Sequence, residues 1–195
     1  MLAKIKPNNS FLILCDVQEA FRSRVHKMPA LVNSASFLIL TSAQLEIPFV
    51  LSQHYTSAFG ETLSELKTAA NEAYKANFFQ IEKRQFSLVT PDLSKHLSEH
   101  PERKNIILMG VESHICIKQS TMDFLRKNYG VFLVADAISS QRVYDREVAL
   151  QQLQTHGAVL TTAEAIAYEL METSLHPQFK AVLGFVKERS KGEFF

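Results

Sequence analysis

Asp16, Lys83 and Cys116 are the residues of this 195-residue chain whose types and placement could do covalent chemistry together. Each stands at or just beyond the end of an apolar run. Phe11-Leu12-Ile13-Leu14-Cys15 stops at Asp16, Phe78 to Ile81 is followed by Glu82-Lys83-Arg84, and Asn105 to Gly110 leads through Val111-Glu112-Ser113-His114-Ile115 to Cys116. A thiol reacts as its thiolate, which a helix N-terminus and a neighbouring cation both favour. Ser113 is read as the cap of a helix, so Cys116 falls in the first turn and Lys83 supplies the cation. A partly desolvated carboxyl beside the thiol, here Asp16, takes its proton and returns it to a leaving group. The three residue types make a complete set for acyl transfer. A single buried cysteine is more often packing, and it is the position after the fourth strand that argues for chemistry at Cys116.

Other candidates are read more plainly. Cys15 sits inside an apolar strand and is expected to be core, its side chain on the face opposite to that of Asp16, which disfavours a Cys15–Cys116 disulfide. His114 lies two residues from Cys116 on the same helix and should point away from it. Gln18, Phe21, Gln53 and His54, within or just after the first two strands, are candidates to line a pocket. Asp136, at the end of the fifth strand, is read as structural, holding loops or capping the next segment.

The elements that must position these residues follow from periodicity. Six short apolar runs, Phe11 to Cys15, Pro48 to Gln53, Phe78 to Ile81, Asn105 to Gly110, Val131 to Asp136 and Ala158 to Thr161, predict strands. Leu31 to Leu45, Thr62 to Ala76, Ser113 to Asn128 and Tyr144 to His156 carry apolar residues every three or four positions and predict helices. Alternation of this kind predicts a Rossmann-like, doubly wound α/β fold with a six-stranded parallel sheet in the order 3-2-1-4-5-6 and helices on both faces. Ligands in such sheets bind beyond the carboxyl ends of the strands where the order reverses. Strands one and four meet at that point, which would bring Asp16 and Cys116 together.

With 46% hydrophobic residues the chain can bury one sizeable core, so residues 1–172 are read as one domain. Residues 173–195 are read as a helical extension. From Pro177 to Ser190 it spaces Phe179, Val182, Leu183 and Val186 as one apolar stripe, to be packed on its own domain or on an oligomer partner. Twenty-one basic and 20 acidic residues leave a net charge of +1, which points away from nucleic acid and from anionic membranes. The first apolar run is too short for a signal core or a membrane span, so a cytoplasmic location is expected. Two cysteines make no disulfide framework, and neither metal nor nucleotide motifs stand out, so no cofactor is expected.

Several separated segments then carry a resemblance. FLILCDVQEAF, EKRQFSL, GVESHICIKQSTMDF, VADAISS and DREVAL are similar, in order and placement, to motifs of the isochorismatase-like hydrolases, specifically the isochorismatase-domain-containing subgroup, over about residues 11 to 165. The resemblance implies an Asp16-Lys83-Cys116 triad and a thioester intermediate. It also implies an oxyanion hole from the backbone N–H groups of Glu112 and Cys116, a cis peptide between Val111 and Glu112, and a homo-oligomer. Nicotinamidases of this kind carry an Asp and His residues for a metal after strand two, where this chain reads SQHYTSAFGETL and keeps only His54. Isochorismatase itself cleaves a vinyl ether without a cysteine nucleophile, so Cys116 favours amidase-like chemistry. The expected function is therefore hydrolysis of a small-molecule amide or related acyl substrate. The alternatives are a non-catalytic or regulatory binding protein on the same fold and, with less support, a nuclease, which would need paired histidines or a metal cluster beside a basic groove.

Overall fold

The computed structural model describes residues 4–195. Strands β1 (Ser10–Cys15), β2 (Phe49–His54), β3 (Phe79–Lys83), β4 (Asn105–Gly110), β5 (Gly130–Ile138) and β6 (Val159–Thr161) form one sheet in the order β3-β2-β1-β4-β5-β6. Every pairing is parallel, as the alternation of the chain demands. The central strand is apolar without a break because both its faces are covered. Leu12 and Leu14 pack into one layer and Phe11, Ile13 and Cys15 into the other.

The first layer is closed by α1 (Met28–Gln44), α3 (Ser64–Tyr74), α7 (Ala163–Met171) and α8 (Phe179–Arg189), and the second by α4 (Pro91–Ser98), α5 (Lys118–Arg126) and α6 (Val143–Thr155). A one-turn helix α2 (Thr56–Phe59) follows β2. Three helices, α2, α4 and α7, lie outside both the four periodic segments and the C-terminal stripe. Both α4 and α7 are short and start on a threonine cap, Thr90 accepting from the N–H of Leu93 and Thr162 from that of Ala165. Strand β3 runs two residues further than its apolar core, so Lys83 ends the strand instead of following it. The helix expected over 113–128 divides: Ser113–Ile117 form a π-helical turn and α5 follows. Glu112, not Ser113, is the residue at the N-cap.

The destination of the C-terminal stripe is this same domain. Val182 is fully buried in the first layer, with Phe179 and Val186 packed against it. Arg189, buried at the end of α8, donates to Asp136 Oδ2 at 2.5 Å and to Ser34 Oγ at 3.0 Å. Asp136 also accepts the N–H of Ala163 at 2.8 Å, so it ties β5, α7 and α8 together. No helix among the described residues is long and apolar enough to cross a membrane.

Candidate active site

The register of the sheet brings the carboxyl ends of four strands level. Cys15 pairs with Ser52 on one side and Gly110 on the other, and His54 pairs with Lys83. Gly110 is required where it stands. Its φ is +128°, and a Cβ there would lie 2.1 Å from the carbonyl oxygen of Cys15. Past this close approach the N–H of Val111 bonds back to the Cys15 carbonyl at 2.9 Å, and the Val111–Glu112 peptide is cis. The chain then turns into the segment that carries Cys116.

Lys83 stands at the centre of what these strand ends assemble. Its Nζ donates to Asp16 Oδ2 at 2.6 Å and to the carbonyls of Phe86 at 3.0 Å and Gln85 at 3.2 Å, which takes up the three N–H bonds of an ammonium. Cys116 Sγ lies 3.7 Å away and His54 Nδ1 3.4 Å. Burial works against the Lys83 charge, but Cys15, Asp16 and Cys116 around it outweigh that and hold its pKa above the ordinary lysine range. Asp16 Oδ1 accepts from Ser52 Oγ at 2.7 Å, which fixes the carboxylate in the plane between Lys83 and β2. All three residues are buried, Cys116 being 8% exposed against 3% for Lys83 and 1% for Asp16.

Asp16, His54 and Cys116 each bring a potential ligand atom within 4.8 Å of the others, so a metal must be considered. Zinc would need such atoms at about 2.0–2.3 Å from a common centre. The Lys83 ammonium already lies 2.6, 3.4 and 3.7 Å from those three groups. A second cation beside it would be repelled, so the donor set is built around the lysine and does not fit a metal.

Cys15 is core, as expected, and keeps the alternation of Phe11 and Ile13; the layer it enters also holds Cys116. Asp16 has φ +56°, in the left-handed region, which breaks the alternation after Cys15, and its carboxylate meets Lys83 Nζ at 2.6 Å. Burial first, then the neighbouring Cys116 and the charge of Asp16, push the Cys15 thiol well above its ordinary 9.0, so it stands neutral.

The four pocket candidates divide. His54 lies beside the ammonium, its ring stacked on Phe86 at 5.8 Å and tilted against Phe59 at 5.6 Å. Phe21 extends this aromatic row by stacking on Phe59 at 5.2 Å. Burial, then the Lys83 charge, lower the pKa of His54, so its imidazole is neutral near pH 7. Gln18 is instead a buried clamp, donating to the carbonyls of Gly60 at 2.6 Å and His54 at 3.1 Å while accepting from the His54 N–H at 2.7 Å. Gln53 reaches out to Glu61 Oε2 at 3.0 Å. Neither glutamine has its amide turned to the thiol.

The turn before Cys116 is held by hydroxyls. The N–H of Ser113 donates to Ser140 Oγ at 3.0 Å, the Ser113 and Ser140 hydroxyls share a short hydrogen bond, and His114 Nδ1 lies 3.0 Å from the same Ser140 oxygen. Gln141 Nε2 donates to Glu112 Oε1 at 2.8 Å. Among the described residues the backbone N–H of Glu112 has no acceptor. Ser120 accepts from the N–H of Leu88 at 2.8 Å and donates to the Cys116 carbonyl at 2.6 Å, which couples the loop after Lys83 to the helix of the thiol. Sequence reasoning missed Ser52, Phe59, Phe86 and Ser120. Ser52 alone left a signal, as a polar residue inside a buried strand.

A doubly wound sheet with an acid, a lysine and a cysteine at its switch point defines a hydrolase fold of one class, and comparison with known proteins agrees. The isochorismatase domain model matches residues 10–165. A Phytophthora sojae protein named secreted isochorismatase effector Isc1 is 33% identical over 191 residues, covering 97% of this chain and 90% of its own. Human isochorismatase domain-containing protein 2 is 34% identical over 187 residues, covering 96% and 87%. The solved structure of a Caenorhabditis elegans protein called MAR1 ribonuclease superposes with a TM-score of 0.89 at 34% identity, covering 95% of this chain and 93% of that one. The chain belongs to the isochorismatase family.

Proposed function

We propose that this protein is a cysteine hydrolase of small amides or related acyl compounds, working through a covalent thioester. The single observation that carries this reading is the Lys83 ammonium, held 2.6 Å from the buried Asp16 carboxylate and 3.7 Å from the Cys116 sulfur. Asp16 takes the proton of Cys116, whose sulfur attacks the acyl carbon and forms the C–S bond. The backbone N–H groups of Glu112 and Cys116 receive the developing oxyanion. As the bond to the leaving group breaks, Asp16 returns the proton to it. Asp16 then deprotonates a water that attacks the thioester, the C–S bond breaks, and the acid product leaves with Cys116 restored. Lys83 stabilises the negative charge that moves between carboxylate and sulfur, and His54 with Phe21, Phe59 and Phe86 forms an apolar wall beside the acyl group.

A screen of small amides, esters and vinyl ethers, with an RNA oligonucleotide alongside, tests this reading. Turnover of an amide or ester by the wild type, abolished in Cys116→Ala and in Asp16→Asn, with an acyl-enzyme mass on Cys116, is the expected result. RNA cleavage that survives Cys116→Ala would replace the hydrolase reading with the nuclease one. No turnover in any arm would leave a binding protein on a hydrolase fold.

A further inference from the structure

In a sheet whose strands all run one way the covering helices run the other, so helix C-termini gather at the end opposite the active site. At that end the starts of β2 and β3 border a cavity of about 470 Å³. Phe79 begins β3 and Lys83 ends it, so cavity and ammonium are about 13 Å apart along the strand, at roughly 3.3 Å per residue. The cavity walls are rings. Tyr74 stacks on Phe49 at 5.4 Å, and Phe78 tilts against the same ring at 5.4 Å. Phe78 packs into the first layer and Phe79 into the second, so a further set of rings stands on the other side of the sheet edge. There His96 lies flat on Phe79, 4.0 Å away and 2° from parallel, with His100 edge-on to it at 5.5 Å.

The charge around these rings has one sign. Three helices each give the cavity a residue of their last turn, Ala43 from α1, Tyr74 from α3 and His96 from α4. The last turn of a helix leaves carbonyls without intrahelical partners and carries about half a negative charge. Glu46 adds an exposed carboxylate to the lining, and no lysine or arginine lines it. Lys75 and Lys95, in or just after those last turns, are exposed and stand outside the lining. Arg103, beyond His100, spends its Nη1 on the carbonyls of Pro7 and Ser10 at 2.7 and 2.8 Å. His96 is held below its ordinary 6.5, first by burial and then by His100, so it brings no positive charge near pH 7. Aromatic faces attract an ammonium ion and cover its apolar body, whereas an anion here meets Glu46 and three helix C-termini. We infer that this cavity is a second binding site, separate from the Cys116 site, for a small organic cation with an ammonium head and an apolar or aromatic body. Its volume falls within the roughly 300–1,000 Å³ of small-molecule pockets. The inference is independent of the hydrolase reading.

The test titrates the full-length protein with benzyltrimethylammonium, followed by ligand-observed NMR. Phenylacetate and benzyl alcohol serve as probes of similar body with a negative charge and with none. The cation should bind at least about tenfold more tightly than either. Phe78→Leu keeps an apolar side chain and removes the π face, and Glu46→Gln keeps the shape and removes the charge. Each should weaken binding of the cation by about fivefold. Phe86→Leu alters the aromatic wall beside Cys116 and should leave the affinity unchanged. No binding at millimolar cation, equal affinity for phenylacetate or benzyl alcohol, or a cation that binds either cavity variant as well as wild type overturns the inference. A loss confined to Phe86→Leu also overturns it, because the cation would then sit in the Cys116 site. Thermal melting checks that each variant is folded, and Glu46→Gln, at an exposed position, decides the matter if Phe78→Leu folds poorly.

Discussion

At the scale of single residues, the site is a small electrostatic problem with one solution. A buried carboxylate and a sulfur share an ammonium, and the ammonium has no other solvent to turn to. Iodoacetamide should therefore label Cys116 near neutral pH at least about tenfold faster than Cys15, since only Cys116 combines solvent access with the Lys83 cation. Lys83→Met should slow labelling of Cys116 by about tenfold, the worth of about 1.4 kcal/mol of charge interaction. Peptide mass mapping over a time course reports both sites together. Equal rates at the two cysteines, or a Cys116 rate indifferent to Lys83, would return Cys116 to being a packing residue. Asp16→Asn separates the roles differently. It removes a negative neighbour as well as the proton acceptor, so labelling should persist while turnover is lost.

At the scale of elements, the site depends on how strand ends and helices are pinned. Gly110 lets β4 press against Cys15, and any side chain there meets backbone at 2.1 Å. Gly110→Ala should destabilise the protein by about 3 kcal/mol or more, because backbone must move and the residue also sits at positive φ. Chemical denaturation would read this as a lowered midpoint, and an unchanged midpoint would mean that β4 and β1 can separate freely. The C-terminal helix gives a second case. Arg189→Ala leaves the Asp136 carboxylate, 17% exposed, without its cation, which should cost about 3 kcal/mol. Removing the residues after Thr173 should lower the melting temperature further, since it uncovers the layer that Val182 fills. A truncated chain that melts like the full one would mean that α8 is an appendage.

At the scale of the whole molecule, the buried titratable groups set a pH window. His54 and His96 are held in the neutral form, each lowered from 6.5 chiefly by burial, with Lys83 adding to this for His54 and His100 for His96. Their folded pKa values lie below the unfolded ones, so the stability they contribute is present above pH 6.5 and is lost as pH falls below it. Cys15 and Tyr74 are raised by burial, so the stability tied to their neutral forms is complete below the unfolded pKa and is lost as pH rises past it, from 9.0 for the thiol. The melting temperature should be level between pH 6.5 and 9 and fall on both sides. On the alkaline side Cys15→Ala should flatten the fall, by up to about 1.4 kcal/mol per pH unit. A wild-type curve that stays level through pH 10 would contradict the buried, neutral Cys15.

What the sequence determined by itself is what periodicity and chemical type encode. Apolar runs of four to six residues alternating with helical segments leave a parallel, doubly wound sheet as the arrangement that buries both faces, and the observed order 3-2-1-4-5-6 is one of those that right-handed crossovers allow. The same logic places Asp16, Lys83 and Cys116 at strand ends on one edge, which is where they stand. Tertiary structure alone decided the rest, for reasons that lie in backbone torsion and long-range packing. Strand alternation placed Cys15 with Phe11 and Ile13, as observed, but it assumes extended backbone and so could not place Asp16, whose positive φ interrupts the pattern. Gln18 reads as a pocket residue until the loop from His54 to Gly60 folds over it and uses its amide. The stripe on α8 is equally suited to a partner or to its own domain, and a buried arginine 53 residues from its aspartate chose the domain. No local pattern carries such pairings, because each is a contact between segments that only the closed fold brings together.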